Sequence, residues 1–501
     1  MRQGRPHSQT MCQLRRRIPL VLVLPVLLMG TGAVAQQVYQ PPGANLTFGD
    51  VTHGMRALSA SSNPAAAAAD RARESDRAKS GTAPSVAAGV EYGNIQELWD
   101  FYDEFSQAFA KSDSDENIGG PGQLPGDKPD DGIDLGQIWD LLDPDIEAEL
   151  QSIARQAATK AAALALIRTE GYGKAWVAAD VPVVFKNERL GGTWTLHMHW
   201  SGTARAFGLV DDIEFSPEEA RAAINDWFET DVASRPRILP IGDQIRLAID
   251  ELGNVSFSLE NDSLLLSQAS QLAALSVGYG RPLWSGGAGT LFGGAKAHLY
   301  SMRLSRYAVR FGDITDSEEL FDEIRDADFE SDVRAGVDLG VLWVARNYQL
   351  GAQLRNINEP DFSFPDVSVP IRDEELLQRL SRDRTYTMDR QLKLEASLFT
   401  SDRRWSFHLA GDADSATDAV GNEYQWLTAS AGYNGGGFWV PGVRFGYRKN
   451  LAGTEKEYAS IGTTLFRYVN LDIASALDTS RIDGQKLPES FMVSLGFQVS
   501  W

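Results

Sequence analysis

The sequence predicts an all-β protein: a transmembrane antiparallel β-barrel of 14 to 16 strands, preceded by a plug-like segment and carrying helical insertions in its long loops. Three observations predict it. A period-two alternation runs through most of the chain after Trp176, the connections sort into long and short, and the stretch Ser490 to Trp501 places its apolar residues on one face.

In an extended chain Phe491, Val493, Leu495, Phe497, Val499 and Trp501 share one side, while Met492, Ser494, Gly496, Gln498 and Ser500 share the other. The first face calls for hydrocarbon; the second calls for water or a polar interior. Trp suits a membrane interface, because its ring is apolar and its N–H needs a polar partner. The pattern Ser494-x-Gly496-x-x-Val499-x-Trp501 resembles the C-terminal signal that outer-membrane barrels present to their assembly machinery. That machinery and outer-membrane lipid are therefore the first expected partners.

At the other end, Arg15-Arg16-Arg17 precede an apolar run from Ile18 to Met29, and Ala33-Val34-Ala35 closes the segment. A basic start, a short apolar run and an A-x-A site describe a secretory signal peptide, and the run is too short for a spanning helix. Residues 1–35 are expected to be cleaved, the mature chain starting at Gln36 and reaching the outer membrane of a Gram-negative cell. The one cysteine, Cys12, lies in this leader. The mature chain then has no disulfide, no lipid-anchor cysteine and no thiolate metal site.

The formal charge is −21, and loss of Arg2, Arg5, Arg15, Arg16 and Arg17 with the leader takes it to −26. An acidic surface excludes nucleic acid as a backbone-bound partner, since phosphate recognition needs clustered Lys and Arg. Mean hydropathy is −0.25. A soluble protein and a transmembrane barrel share such a value, because only alternate barrel residues face lipid, so periodicity has to separate them.

Residues 36–86 are irregular, with small polar pieces such as Ser62-Asn63-Pro64-Ala65 that cannot build a core of their own. They read equally as a plug inside the barrel or as a flexible leader. The barrel is assigned to 87–501, with helical insertions at about 94–170 and 207–253. Ile95, Leu98, Trp99, Tyr102, Phe105 and Phe109 line one helical face in the first insertion, and Leu135, Ile138, Trp139 and Leu142 another.

Beyond Trp176 the clearest strand is Trp194 to Trp200, apolar on even positions and polar on odd ones, and Asp332 to Ala345 alternates in the same way. Further strands are expected at Ala87–Gly93, Asn254–Glu260, Ala273–Arg281, Thr290–Ser301, Leu304–Phe311, Tyr348–Asn356, Tyr386–Thr400, Trp405–Asp412, Glu423–Tyr433, Val440–Lys449, Glu457–Phe466 and Val469–Ala476. The count is sixteen, or fourteen if the pairing around Asn254–Arg281 fails. Loops after odd strands are long and those after even strands short, the arrangement of an outer-membrane barrel with turns on one side and loops on the other.

Taken together, Asn63-Pro64-Ala65, the helical first insertion, Gly293-Gly294-Ala295-Lys296, Gly336-Val337-Asp338-Leu339-Gly340, Leu350-Gly351-Ala352 and Asn356 resemble the FadL-like superfamily of outer-membrane proteins. Within it the chain resembles the TraF-type conjugal transfer barrels. The resemblance implies a monomeric barrel with an N-terminal hatch, diffusion of hydrophobic small molecules, and a link to plasmid transfer. The sequence has no Cys-x-x-Cys, which separates it from the thioredoxin-like periplasmic proteins that share the TraF name.

His197 and His199 share a strand face at a spacing suited to one metal ion. With no third ligand evident they read as polar lumen residues, together with Lys296, Arg334 and Asp338. Other strand cations, Arg303, Arg306, Arg310 and Lys393, are expected to meet acids such as Asp338 and Glu395 inside the barrel. Asp113-x-Asp115-x-Asn117 starts like a calcium loop, but Ile118 and Leu124 stand where Gly and Glu belong, so it reads as a solvated acidic loop. His408 near Asp412 and Asp414 is the nearest approach to a catalytic set, and no motif places a nucleophile beside it. The reading is a non-enzymatic protein without a cofactor, a gated channel or transporter for small hydrophobic solutes. The alternative is a non-transporting anchor whose acidic helical loops bind a partner protein, of unknown identity, in plasmid conjugation.

Overall fold

The structure is a computed structural model, and it describes residues 42–53, 58–72 apart from 60, 80–93, 171–187, 191–211, 238–241, 245–249, 255–259 and, with short breaks, 262–501. The leader 1–35, the helices expected around Trp99 and Trp139 and the Asp113 loop lie outside the described residues.

Fourteen antiparallel strands close a barrel: β1 (Ser85–Tyr92), β2 (Tyr172–Asn187), β3 (Gly192–Leu209), β4 (Leu264–Gly286), β5 (Gly289–Arg310), β6 (Phe329–Val344), β7 (Tyr348–Arg355), β8 (Gln391–Phe399), β9 (Trp405–Asp412), β10 (Trp426–Tyr433), β11 (Gly442–Asn450), β12 (Glu457–Leu465), β13 (Val469–Ala476) and β14 (Ser490–Phe497). Each pairs with its sequence neighbours, and β1 pairs with both β2 and β14, with Val86 opposite Leu495. Short extensions, Ser80–Thr82 and Val499–Ser500, continue the seam beyond the ends of β1 and β14. Closure leaves no free edge, as a lipid environment demands.

Two of the sixteen expected strands are corrected. Asn254–Glu260 contributes Val255–Leu259 to a separate three-stranded sheet with Ile238–Ile241 and Ile245–Ile249, in a region expected to be helical. Leu304–Phe311 is no separate strand but the continuation of Thr290–Ser301 in β5. The pattern breaks there because its polarity inverts. Below Ser301 the outward residues are apolar, as at Leu299; above it the inward ones are, with Met302 and Leu304 buried against Phe362 and Tyr386. The inversion marks where the strand leaves the membrane.

The wall faces hydrocarbon as the alternation requires. In β14 Phe491, Val493, Leu495 and Phe497 are exposed while Ser490, Met492, Ser494 and Gly496 are buried. Leu394, Leu398, Phe407, Leu409, Phe445 and Ile461 continue the outer apolar surface, while Arg444, Asn470 and Asp472 are buried inside. An apolar exterior around a charged interior is the inverse of a soluble core and defines a transmembrane barrel. Exposed Trp284, Trp405, Phe438, Trp439 and Phe466 sit at the short-turn end, where aromatic girdles meet the interface.

Strand length divides the wall. From β7 to β14 the strands have 8 or 9 residues, close to the ~9–11 that cross a bilayer. β4 and β5 have 23 and 22 residues, roughly 75 Å of chain at about 3.3 Å each. Their long-loop ends stand clear of the hydrocarbon and are covered on both faces. One cover is α3 (Ser317–Asp326), through Leu320 on Leu265 and Phe311; the other is α4 (Glu374–Arg382), through Leu380 on Leu264 and Leu266.

Inside the barrel lie the described residues of the stretch 42–72 of the same chain, with short helices α1 (Asn45–Phe48) and α2 (Ala66–Ala72). A lumen lined by polar side chains gives such a segment hydrogen bonds in place of strand pairing, and most of its described residues are buried.

Candidate functional site

The site is the contact between this inner segment and the wall. Asn63 anchors it: the side-chain oxygen accepts the Ala65 N–H at 3.0 Å, opening α2, while the amide donates to the carbonyls of Val341 and Ala352 at 3.2 Å each. Pro64 and Ala65 then lie on a floor of three glycines, Gly280, Gly294 and Gly340, which stand side by side in register on β4, β5 and β6. Across the lumen, Gly432 and Gly446 leave space for Phe48 and Thr47 in the same way.

Charged pairs fix the segment. Asp50 meets Arg355 and, at 3.2 Å, Lys393; the Ser62 hydroxyl donates to its other oxygen at 2.5 Å. Glu395 accepts the N–H of Thr52 at 2.5 Å and its hydroxyl at 2.6 Å, and the Gln349 amide donates to the Thr52 carbonyl. Lys296 donates to the Ser61 carbonyl at 2.9 Å, and Gln353 to that of Ser62 at 3.2 Å. Thr47 donates to Asp472, which is itself held by Arg444 through two contacts, of 2.7 and 2.5 Å. At the seam the Gly43 N–H donates to Ser494 Oγ at 2.6 Å, and that hydroxyl donates to the Val86 carbonyl at 3.0 Å. Beside Asp50 a small cavity lined by Arg355, Lys393, Asp412, Trp426 and Arg448 has room for about one water.

Toward the long-loop end the lumen changes character. Leu272, Tyr300, Met302, Phe362, Phe364, Tyr386 and Met388 form one apolar cluster, with Trp200 packed against it. A polar belt lies between this cluster and the glycine floor, built on β2 to β6.

The candidate residues fall as follows. Ser62, Asn63, Pro64 and Ala65 all lie against the wall, and Lys296 and Asp338 line the belt. His197 and His199 point inward too, both toward Asp180. Arg334 stands opposite Tyr300 in the register, on the inward side of β6, with its side chain 43% exposed and paired with Asp332 at 2.9 Å. Among the expected cation–acid contacts, Lys393 meets Asp50 at 3.2 Å, while Asp338 meets His298 at 3.1 Å and Glu395 meets Thr52. Arg303 bonds Gln271, Arg306 the Leu380 carbonyl, and Arg310 Asp313. Ser494 and Gly496 face inward against Gly43, while Val499 pairs with Thr82 and Trp501 exchanges two backbone hydrogen bonds with Ser80.

His408 Nδ1 lies 2.8 Å from Ser397 Oγ. Ser276, His298 and Asp338 fall in a line, with Ser276 Oγ 2.7 Å from His298 Nδ1, but Ser276 is 1% exposed and beyond the reach of a substrate carbonyl. Sequence reasoning passed over Asp50, Arg355 and Asp180. Asp180 was within reach of it: counting back from the Asn187–Gly192 pair puts Asp180 opposite His199.

Fold and site together define an outer-membrane-type β-barrel whose lumen is filled by a segment of its own chain. A family model described as "F plasmid transfer operon, TraF, protein" matches residues 60–414, and the chain belongs to that family. No curated protein matches it. Similar solved structures include the TodX deltaS2S3 mutant monoaromatic hydrocarbon channel, at 9% identity over 92% of this chain and 98% of that one, TM-score 0.40. The Pseudomonas putida toluene transporter TodX aligns at 10% over 93% and 99%, TM-score 0.37. A Pseudomonas aeruginosa FadL homologue aligns at 10% over 94% and 99%, TM-score 0.33. The barrel itself rests on the strand pairing above and not on these likenesses.

Proposed function

We propose that this protein is a gated outer-membrane channel or transporter for small hydrophobic solutes, with residues 42–72 as the gate. The observation that carries the proposal is how the lumen is closed. The inner segment occupies it without joining the sheet, held by side-chain hydrogen bonds and ion pairs that can be exchanged for water one at a time, and a packed apolar cluster lies beyond it. Residues 1–35 serve as the export leader, and the seam strand β14 is what the assembly machinery reads. The test is solute flux into liposomes carrying the purified barrel, with labelled toluene and glucose as probes. Deleting Gly54–Ala65 is expected to raise flux; an unchanged rate for both probes sinks the gate.

A second reading has support of its own: a closed lumen under a large outer layer that carries the acidic helix α3, with Glu318, Glu319, Asp322, Glu323 and Asp326. In this reading the barrel anchors a docking surface for a partner protein, and the family's description points to plasmid transfer. Reversing charges on α3 then lowers mating frequency and leaves flux alone, whereas a transporter shows the opposite.

A further inference from the structure

We propose that the β2–β3 hairpin holds a divalent transition-metal ion, of the zinc class, at Asp180, His197 and His199. Asp180 stands directly opposite His199 in the strand register, and His197 is two residues along on the same inward face. Both rings are aimed at one carboxylate oxygen, His199 Nδ1 at 2.6 Å and His197 Nε2 at 3.0 Å from Asp180 Oδ1. The three ligand atoms lie within 4.8 Å of one another. A tetrahedral ion with bonds of about 2.0–2.1 Å separates its ligand atoms by roughly 3.3 Å, so small side-chain rotations admit it.

The donor set selects the ion. Two imidazoles and one carboxylate suit zinc and its neighbours, whereas calcium and magnesium want oxygen ligands throughout. The remaining ring nitrogen of His199, Nε2, lies 2.9 Å from Ser201 Oγ. With Nδ1 bound to metal, Nε2 carries the proton and donates it to that hydroxyl, which fixes tautomer and ring plane as outer partners of metal-bound histidine do. The carboxylate and both imidazoles are largely buried, at 9%, 10% and 11% side-chain exposure, with Met198 between the histidines facing outward. The fourth coordination position therefore opens on the lumen side of the wall. Near the floor of this belt, Lys296 is tied to the Ser61 carbonyl, which places the ion between the inner segment and the apolar cluster. The site stands or falls independently of transport.

The experiment uses the full-length mature barrel in detergent, stripped with chelator, exposed to zinc and gel-filtered before elemental analysis. About one zinc per chain is expected, with affinity at least ~10-fold lower in Asp180→Asn, His197→Ala and His199→Ala and unchanged in His298→Ala. Cobalt in place of zinc should give a tetrahedral d–d spectrum that the same three variants abolish. Heat-dependent gel migration checks that each variant is folded, and if Asp180→Asn does not assemble, His199→Gln at the most accessible ligand carries the test. Folded wild type that retains no zinc, or a folded His197→Ala/His199→Ala double variant that retains as much, overturns the site.

Discussion

A Cβ on Gly294 would stand 2.5 Å from the carbonyl carbon and oxygen of Pro64. At Gly280 and Gly294 the barrel wall and the inner segment thus touch backbone to backbone, while Gly340 beside them leaves room for the side chains of Asn63 and Pro64.

Gly294→Val should unseat the segment while leaving the wall intact. Backbone cannot yield as a flexible side chain does, so overpacking of about 1–3 kcal/mol falls on the inner segment's attachment. The variant should still migrate as a folded barrel, with faster solute flux than wild type. Normal flux in a folded Gly294→Val barrel would show that the segment does not limit passage.

Asp50→Asn removes the counter-charge of both Arg355 and Lys393, each largely buried. Stranding buried cations costs about 3–5 kcal/mol. We expect frequent openings in single-channel recordings, largely reversed when Arg355→Met is added. Recordings as quiet as wild type would remove these pairs from the closing mechanism.

Arg444 and Asp472 are 1% and 0% exposed. Arg444→Met takes from the buried Asp472 carboxylate its cationic partner, leaving the Thr47 hydroxyl among the described residues, and should destabilise the refolded barrel in urea by about 3–5 kcal/mol. Adding Asp472→Leu should restore most of it. A single variant as stable as wild type would mean that water reaches this pair.

Leu409 faces outward, 54% exposed, one residue from inward-facing His408. Leu409→Arg should destabilise the membrane-embedded barrel by about 2–4 kcal/mol if it sits near the bilayer midplane. Equilibrium unfolding in lipid vesicles reads the difference, and a negligible cost would place this face in water.

The sequence by itself determined the architecture. Alternation is local, set by which neighbour of a strand residue meets lipid, so residues such as Phe491, Leu495 and Leu409 declare the wall without knowledge of their partners. The same logic misread the tall strands, because α3, α4 and the Phe362–Tyr386 cluster cover them above the membrane and invert or erase the period. Asn63-Pro64-Ala65 and the glycine motifs at 294 and 340 were legible as motifs, but not as two halves of one contact. Only the tertiary structure decided that Asp50 meets Arg355 and Lys393, or that Asp180 joins His197 and His199. Contacts inside a lumen link residues hundreds of positions apart. Their partners are chosen by barrel closure and register, which no local period encodes.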